Sequence, residues 1–549
     1  MKIAISYPPL ENKKGTPTLS QNRQFQWFTS PTYIYPVVPA SAATLLKQNG
    51  YEVFWDDGIA EELSYQEWLA RIIKEKPDVI AIETKTPVIK KHWKIIKTLK
   101  HLNTEARETQ NWRPIIVLMG DHVTALPEES FQNCPVDFVL TGGDYDFMLL
   151  NLANHLSKGE ELDHGWYYCH PCESRDLTEY ISNENQGDSR FRRNDKKESE
   201  NDNIVNTGHF QLNHDLNSLP LIDRELTHWQ LYAFKNGNFK YTPGSYIMSS
   251  RDCWYGQCTF CSWANTLFPR QCYRVRKVEN ILDEIGSLIK LGVKEIMDDS
   301  GTFPIGNWLA EFCQGMIGRG YDKKAKISCN MRINAIKDLK IYQLMKAAGF
   351  RMILFGLESA NQKTLDKIDK GLKVEEIEPC LKICKKAGLE PHITVMVGYP
   401  WETREETENT LSFAKKLFRD GIVDSLQATI MIPYPGTELY KYCLENDLLK
   451  KDLFESDGVP RLASLARDDF AAIGGKIDYD RFDQREQIMQ SSLSDAEIKK
   501  MIQKFYRSFL TPRFFWNKIK SIRSLSDIKF YLKAGLKVFG HLGDFSYKK

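Results

Sequence analysis

The feature that most restricts the fold is a repeated alternation of short apolar strands and helices between residues 246 and 437. Strands that alternate with helices form parallel sheets, because a parallel connection needs a crossover segment. About six such units follow one another, fewer than the eight that close a barrel. We therefore expect a partial, open, TIM-like (β/α)6 barrel.

Polar residues stand where several of these strands end. Chemistry in such barrels lies at the carboxyl ends of the strands. The first strand leads into three cysteines, and later strands end at Asp298–Asp299, Asn330, Arg332 and Glu358. Tight turns explain one polar residue at a strand end better than they explain several in succession.

The three thiols are Cys253, Cys258 and Cys261. Three thiolates can hold an iron–sulfur cluster in which one iron has no protein ligand. A four-thiolate zinc site would need a further ligand, and Cys272 is the nearest thiol in sequence. A disulfide with a spare cysteine would need an oxidising compartment. Spacing alone leaves these three interpretations open.

Residues 1–158 also alternate between apolar strands and helices, which indicates a doubly wound, Rossmann-like parallel sheet. Ligands of such sheets bind beyond the carboxyl ends of the strands. The loops at residues 83–86, 120–124 and 141–144 are rich in small and hydroxylic residues, which suits the close approach of a large polar ligand. Tight turns would have a similar composition.

The remaining segments are less regular. Residues 159–240 read as a linker, and within it residues 181–203 are almost all polar, which indicates a disordered or surface insertion. Cys169 and Cys172 form a CxxC pair that suits zinc, redox chemistry or an incidental loop. Residues 441–549 are predicted to be mainly helical, with Ser494 as an N-cap. The barrel itself is expected within residues 241–440.

Composition bears on location and on partners. We expect a cytoplasmic protein, because no signal peptide is evident and no apolar run approaches the ~18 residues of a membrane span. From Met501 onward, eleven Lys or Arg residues face two acidic ones, a local charge of +9. This aromatic, basic tail fits either peripheral contact with an anionic membrane or a packed helix with a solvated face. No nucleic-acid recognition motif accompanies it, so we expect no nucleic-acid partner.

Taken together, the motifs resemble the cobalamin-binding branch of the radical S-adenosylmethionine enzymes. In the barrel region they are Ser249-Ser-Arg-Asp-Cys253, Asp298-Asp299 with Phe303, Phe355-Gly-Leu-Glu-Ser359, Gly398-Tyr-Pro-Trp-Glu402 and Pro433-Tyr-Pro-Gly-Thr-Glu438. In the first region they are Gly120-Asp-His-Val-Thr124 and Thr141-Gly-Gly-Asp144. The resemblance covers residues 1–158 and 215–510.

The sequence departs from the family pattern at two places. Four residues separate Cys253 from Cys258, where the family has three, and a small bulge near Tyr255 and Gly256 would absorb the extra one. The place of the Asp-x-His-x-x-Gly cobalt-binding motif reads Asp56-Asp57-Gly58, without histidine. This resembles the branch in which that motif supplies no protein ligand to cobalt.

The resemblance implies a set of cofactors and ligands. Cys253, Cys258 and Cys261 would hold a 4Fe-4S cluster, which cleaves S-adenosylmethionine reductively to a 5′-deoxyadenosyl radical. The residues implied for S-adenosylmethionine are Phe260, Asp299, Asn330, Arg332 and Glu358. Those implied for cobalamin are Thr84, Gly120, Asp121, His122, Thr141, Gly142 and Gly143. A core role for Phe260 and a strand-end salt bridge between Arg332 and Glu358 are the simpler alternatives.

The implied activity is methyl transfer to an unactivated carbon of a small-molecule or lipid-like substrate, with an electron donor such as flavodoxin or ferredoxin. A cobalamin-dependent cyclase or rearrangement enzyme without methyl transfer has the same architecture. A non-catalytic cobalamin or iron–sulfur sensor is a third hypothesis, but it leaves the polar strand ends of the barrel without a role.

Overall fold

The protein is described by a computed structural model. It covers residues 1–19, 25–105, 112–169, 204–454 and 477–508, and also Trp516, Ile519, Ile522, Ile528 and Gly535. The predicted polar insertion at residues 181–203, Cys172 and most of the basic tail lie outside the described residues.

The first sheet is the predicted doubly wound sheet with an additional antiparallel edge. Its order is β4-β1-β5-β6-β7-β8-β9, in which the first five strands are parallel and the last two antiparallel. The strands of this half, including a separate ribbon of β2 and β3, are β1 (Lys2–Tyr7), β2 (Thr16–Pro17), β3 (Trp27–Phe28), β4 (Glu52–Asp57), β5 (Val79–Thr84), β6 (Ile115–Gly120), β7 (Phe138–Leu140), β8 (Trp166–Cys169) and β9 (Ile204–Asn206). The sheet therefore continues beyond residue 158.

Helices accompany this sheet as the alternating pattern requires. They are α1 (Val37–Gln48), α2 (Tyr65–Glu75), α3 (Ile89–Glu105), α4 (Asp121–Ala125), α5 (Glu129–Asn133) and α6 (Tyr145–Lys158). Every residue of β5 is buried, as expected for a parallel strand covered on both faces. The short α4 begins directly after β6, so the backbone turns sharply at Gly120.

The second sheet has its strands in sequence order, β10-β13-β14-β15-β16-β17, and all neighbours are parallel. The strands are β10 (Gly244–Ile247), β11 (Ser250–Arg251), β12 (Arg274–Val275), β13 (Glu295–Asp298), β14 (Lys326–Met331), β15 (Phe350–Glu358), β16 (Glu390–Val397) and β17 (Ser425–Ile430). Since β10 and β17 are its two edges, the sheet is an open barrel, as the sequence predicts.

Helices separate successive strands of the second sheet and continue after it. They are α7 (Ser262–Asn265), α8 (Val278–Lys290), α9 (Asn307–Gly318), α10 (Leu339–Ala347), α11 (Gln362–Lys367), α12 (Val374–Lys386), α13 (Arg404–Arg419), α14 (Glu438–Glu445) and α15 (Asp495–Arg507). None of the described helices is both long and apolar enough to span a membrane.

The amino-terminal end of the barrel is filled by a buried charge network. Arg351 donates from Nε to Glu295 Oε1 at 2.6 Å and from Nη1 to Glu390 Oε2 at 2.7 Å. Ser328 Oγ donates to the same Glu295 oxygen at 3.0 Å. A ligand must therefore approach from the opposite, carboxyl end of the strands.

The last described helix, α15, packs against the edge strand of the barrel. Tyr506 Oη donates to the carbonyl of Ala428 at 3.1 Å and accepts from its amide at 3.3 Å. Ser494 is the predicted N-cap, and it forms a capping box with Glu497. The hydroxyl of Ser508, just after this helix, donates to the carbonyl of Phe505. The chain as far as Ser508 is therefore part of the fold.

Candidate functional site

The three cysteines lie in a loop whose two ends are joined. Strand β11 precedes the loop, β12 follows it, and the two pair antiparallel with Arg251 opposite Arg274. Residues 252–273 therefore form a closed excursion at the carboxyl end of the barrel, which we call the cysteine loop. The loop lies at this end because it begins a few residues after Ile247, the last residue of the first barrel strand, β10.

All three thiols are half-buried and form no disulfide. Burial raises the pKa of the Cys258 thiol, the cations Lys370 and Arg332 lower it, and Cys253 raises it again. Cys253 Sγ also lies 3.3 Å from Thr302 Oγ1. A thiolate at Cys258 would therefore have two cationic neighbours to offset its charge.

The extra residue between Cys253 and Cys258 is accommodated by a turn at Gly256. Its φ is 58°, in the left-handed region that favours glycine. A Cβ here would lie 2.6 Å from Cβ of Arg270, so a side chain would also clash. The turn falls where the sequence predicts that the additional residue is absorbed.

The described part of the structure does not gather the three thiols into a site for a single metal ion. Among the described residues, no three His, Cys, Asp or Glu side chains are gathered closely enough to hold one ion. Zinc would need its thiolates ~2.3 Å from a common centre. In an iron–sulfur cluster each of the three sulfurs would bind a different iron.

A buried ion pair adjoins the cysteine loop. Lys370 Nζ is 2.8 Å from Glu358 Oε1, and Thr394 Oγ1 donates to the other oxygen of Glu358 at 3.2 Å. Lys370 also lies 5.7 Å from the ring centroid of Phe260. The pair approaches Gly356 so closely that a Cβ there would lie 2.3 Å from Glu358 Oε1.

The salt bridge considered for Arg332 and Glu358 is not what the structure shows. Arg332 instead donates to the backbone carbonyls of Lys370 and, at 3.1 Å, Gly371. Its guanidinium stacks 3.5 Å from the ring centroid of Tyr255 in the cysteine loop. Arg332 therefore holds the cysteine loop against the segment after α11, and its side chain is largely engaged.

The other predicted residues of this end also lie together. Asn330 Nδ2 donates to Asp299 Oδ1 at 3.2 Å and to the carbonyl of Ser300 at 3.1 Å. Phe260 is buried, as in the simpler interpretation, but its ring faces the Lys370 ammonium rather than apolar side chains alone.

Sequence reasoning missed Lys370. It follows α11 within Asp369-Lys370-Gly371, a stretch that reads as an ordinary polar turn. Only the tertiary structure brings its ammonium beside Glu358 and Cys258. One feature of the sequence could have indicated Lys370: it is a cation that follows the Phe355–Ser359 motif after a single short helix.

The loops of the first sheet present glycines where backbone approaches closely. A Cβ at Gly120, whose φ is 136°, would lie 2.0 Å from the carbonyl oxygen of Thr84. A Cβ at Gly143 would lie 2.2 Å from the ring of Phe268, which follows the cysteine loop's helix α7. The predicted loops at Gly120 and at residues 141–143 therefore both lie at the carboxyl edge, and the second one contacts the barrel region.

Two buried polar atoms at this edge have no hydrogen-bond partner in the described residues: Asp121 Oδ1 and the hydroxyl of Tyr145. The second oxygen of Asp121 pairs with Lys85 Nζ at 3.2 Å. Lys85 in turn lies 6.0 Å from the ring centroid of Trp263 in α7. Buried groups are normally satisfied, so these two atoms fit a ligand that carries hydrogen-bonding groups, such as the amides that fringe a corrin ring.

Three predicted residues of this edge are already engaged through their side chains. His122 is fully buried, with Nδ1 at 3.1 Å from Thr86 Oγ1 and Nε2 at 3.0 Å from Glu129 Oε2. Thr84 Oγ1 is 2.8 Å from His92 Nδ1, and Thr141 Oγ1 donates to the carbonyl of Gly165. These residues would therefore contact a ligand mainly through their backbone groups.

Two buried acids at this edge of the first sheet have raised pKa values. Burial raises the pKa of Glu83 to about 7, although Lys85 and a hydrogen bond from Tyr7 oppose the shift. Burial likewise raises the pKa of Asp57 to about 7, against hydrogen bonds from Tyr232 and the Ala60 amide. The edge thus holds neutral or partly protonated carboxyls near neutral pH, beside a buried lysine.

Comparison with known sequences gives one family and several relatives. Residues 247–414 match the Radical SAM superfamily. An uncharacterized methyltransferase of Pyrococcus horikoshii is 28% identical over 454 residues, 82% of this chain and 84% of the relative. The anaerobic magnesium-protoporphyrin IX monomethyl ester cyclase of Rubrivivax gelatinosus is 24% identical over 491 residues, 87% of this chain and 79% of the cyclase.

Two solved structures have the same fold over most of the chain. The radical S-adenosylmethionine methyltransferase TsrM from Kitasatospora setae, with cobalamin and a [4Fe-4S] cluster bound, superposes with a TM-score of 0.63 at 14% identity, covering 93% of this chain and 89% of TsrM. The cobalamin-dependent S-adenosylmethionine radical enzyme OxsB, with aqua-cobalamin and S-adenosylmethionine bound, gives 0.64 at 15% identity, covering 99% of this chain and 71% of OxsB.

The raised pKa of Glu83 predicts a stability change with pH. The folded state keeps the Glu83 proton up to about pH 7, whereas an ordinary glutamate of pKa 4.5 releases it earlier. Native stability therefore falls as pH rises from about 4.5 to 7, by ~3 kcal/mol for this group. In Glu83→Gln this contribution is absent, so the melting temperature of the variant relative to the native protein should rise by several degrees between pH 5 and pH 8.

Thermal unfolding at both pH values checks this expectation. Glu405→Gln, on the exposed start of α13, is the control and should show no such relative change. Equal pH dependence of the Glu83→Gln variant and the native protein would mean that Glu83 is ionised in the folded state.

Proposed function

We propose that this chain is a radical S-adenosylmethionine enzyme; a Radical SAM match over residues 247–414 and the fold that it has in common with TsrM and OxsB support this. The proposed activity is reductive cleavage of S-adenosylmethionine for cobalamin-dependent methyl transfer to a carbon of a small-molecule substrate. The observation that carries the proposal is the cysteine loop at the carboxyl end of an open barrel, with three half-buried thiols, of which Cys258 has Lys370 and Arg332 as cationic neighbours.

We assign the cluster to Cys253, Cys258 and Cys261, and the S-adenosylmethionine site to the residues beside them. Lys370 is well placed to pair with a carboxylate, since it is a buried cation adjacent to Cys258. Glu358, held by Lys370 and Thr394, suits hydroxyl donors such as those of a ribose. In this proposed site, Phe260 would present the face of its ring to S-adenosylmethionine. Asn330 and Asp299 would present polar groups to it.

We assign cobalamin to the carboxyl edge of the first sheet. Gly120, Gly142 and Gly143 allow close backbone approach, and the unpartnered atoms of Asp121 and Tyr145 offer hydrogen bonds. The contact between Gly143 and Phe268 would place that edge over the mouth of the barrel. No role as cobalt ligand is proposed for His122, because both its ring nitrogens are engaged within the first domain.

The cofactors, when bound, would supply the radical and the methyl group, and this chain's residues would bind, orient and shield them. Positive charge near a thiolate stabilises it, and Lys370 and Arg332 provide that charge beside Cys258. The filled amino-terminal end of the barrel keeps water from entering behind the site, through Arg351 and Glu295. Close docking of the first domain would exclude water from the other side.

The inner face of the barrel favours a polar substrate. Gly356, Thr394 and Gln427 are register neighbours on β15, β16 and β17, and each is half-exposed. One level below, His392 Nδ1 is 2.8 Å from Ser425 Oγ, and burial lowers the pKa of His392 to about 4, so the imidazole is neutral. Thr394, Gln427 and His392 thus place neutral hydrogen-bonding groups beside the charged Glu358–Lys370 pair, and this polar face suits a small molecule with hydroxyl, amide or heterocyclic groups better than a lipid.

The relatives include both a methyltransferase and a cyclase. We favour methyl transfer because the sequence and the fold each give a methyltransferase among their matches. An electron donor of the flavodoxin or ferredoxin type would serve the cluster. Such a donor and half-exposed thiols both fit a reducing, cytoplasmic environment.

The main experiment reconstitutes the protein anaerobically with iron, sulfide and hydroxocobalamin, then adds S-adenosylmethionine and a reductant. We expect visible iron–sulfur absorption and formation of 5′-deoxyadenosine. Cys258→Ala should abolish both, because it removes a thiolate ligand of the proposed cluster. Cys443→Ala, which removes a buried core thiol far along the chain, is the matched control and should retain both.

A native protein that assembles its cluster but forms no 5′-deoxyadenosine would contradict the radical chemistry. Once a substrate is known, product mass separates methyl transfer, which adds one CH₂ unit, from cyclisation, which does not.

Gly356→Ala tests the Glu358–Lys370 pair. The new Cβ would lie 2.3 Å from Glu358 Oε1 and 2.6 Å from Lys370 Nζ, so the pair must move. Displacing groups that position a reactant typically lowers the rate by ~10–100-fold, and we expect that loss in 5′-deoxyadenosine formation with little change in melting temperature. Gly318→Ala, at the end of α9 with nothing within 4 Å, should leave the rate unchanged. An unchanged rate in Gly356→Ala would remove the pair from the site.

The basic tail supports a proposal of peripheral membrane contact. Trp516 and Ile519 are each 58% exposed, in a segment of local charge +9. Because α15 packs as far as Arg507, the tail should be removed after Ser508 rather than earlier. The full chain should sediment with phosphatidylserine-containing vesicles and not with phosphatidylcholine alone, and the shortened chain with neither. Equal sedimentation of both chains would exclude the tail as the contact.

A further inference from the structure

The base of the cysteine loop brings two arginines together. Arg251 of β11 and Arg274 of β12 are directly opposite each other in the two-stranded ribbon that closes the loop. Like charges at opposed positions of a ribbon repel. Arg251 is 5% exposed, so solvent does little to screen the repulsion. The ribbon therefore needs negative charge from elsewhere to stay closed.

That charge comes from the first domain. Arg274 Nη1 is 2.8 Å from Asp144 Oδ2, and Arg274 Nη2 is 2.8 Å from Asp144 Oδ1, a bidentate pair. Arg251 Nη2 donates to Asp146 Oδ2 at 2.5 Å, and Nη1 lies 3.4 Å from Asp144 Oδ1. Two carboxylates thus neutralise two guanidinium groups, and His214 of the linker adds a contact to Asp144 at 3.0 Å.

Asp144 is the last residue of the predicted cobalamin loop at residues 141–144, and Asp146 lies in the first turn of α6. Asp144 follows Gly143 directly and stands at the N-cap of α6, where an aspartate usually accepts from the first turn of the helix. Its side chain makes no such capping bond. Burial alone would raise the pKa of Asp144, but His214, Arg274 and Arg251 outweigh it and hold the pKa at about 2. The carboxylate is committed to the other domain rather than to its own helix.

We propose that Asp144 and Asp146 act as a clamp that closes the base of the cysteine loop through Arg251 and Arg274. The loop at residues 141–143 and the cysteine loop then move as one unit. Arg251 is a positioning residue, two positions before Cys253. Resting on the proposed function, the clamp makes cobalamin binding and cluster assembly mutually dependent, because each orders a loop that the other needs.

The first test measures hydroxocobalamin binding to the full-length protein by absorbance titration, with and without a reconstituted cluster. Coupled sites usually differ by roughly 5–150-fold in affinity. We expect the native Kd to fall by at least ~5-fold when the cluster is present. The variant Arg274→Gln with Asp144→Asn removes the bidentate pair and one charge of each sign, while Arg251 keeps Asp146 as its partner, so no lone buried charge remains to unfold the protein. In it the two Kd values should agree.

The second test needs neither cofactor. Backbone hydrogen exchange in the cofactor-free protein should quicken at least ~10-fold at residues 250–275 and 141–146 in the double variant, and elsewhere remain unchanged. Arg319→Gln is the matched control: Arg319 also bridges two carboxylates, Glu279 and Asp283, but on exposed helices. It should leave both the exchange and the difference in Kd intact.

The outcomes separate the clamp from the proposed function. Native protein that does not bind hydroxocobalamin overturns the cofactor assignment, while quickened exchange at both loops in the double variant would still support the clamp. Unchanged exchange at residues 250–275 in the double variant overturns the clamp whatever the protein binds. A difference in Kd that survives in the double variant also overturns it.

Discussion

The structure depends on one constraint: the parallel strands of two sheets place their carboxyl ends against each other. A parallel strand gathers the loops that follow it on one edge, so each sheet has a single edge for chemistry. Docking the two edges buries polar groups that neither sheet can satisfy alone. Asp144 with Arg251 and Arg274, and Lys85 against Trp263, are the contacts that result.

Buried charge is retained at this junction although apolar residues would pack there with less desolvation. Replacing a buried ion pair by apolar side chains is often neutral or stabilising, so stability is a weak reason for its presence. Directional pairs such as Arg274 with Asp144 fix the relative placement of two loops more narrowly than apolar contacts do. The same reasoning applies to Lys370 and Glu358, which hold a charged pair beside the thiols.

Much of this was predictable because it is local or periodic. Apolar strands alternating with helices determine two parallel sheets, and the spacing of Cys253, Cys258 and Cys261 determines a thiol-rich loop after the first barrel strand. The antiparallel strands β8 and β9 were not predicted, because they pair across a long polar segment. Lys370 was not predicted because its surroundings come from three separate segments of the chain.

The sequence by itself determined the order of the elements, the open barrel and the edge on which the thiols lie, since these follow from hydrophobic periodicity and chain connectivity. Only the tertiary structure decided which charges meet. Arg332 stacks on Tyr255 instead of pairing with Glu358, and Asp144 serves two arginines instead of its own helix. The physical reason is that an electrostatic pair forms between charges that are close together and buried in the folded structure. The distance between residues far apart in the chain cannot be read from the sequence pattern.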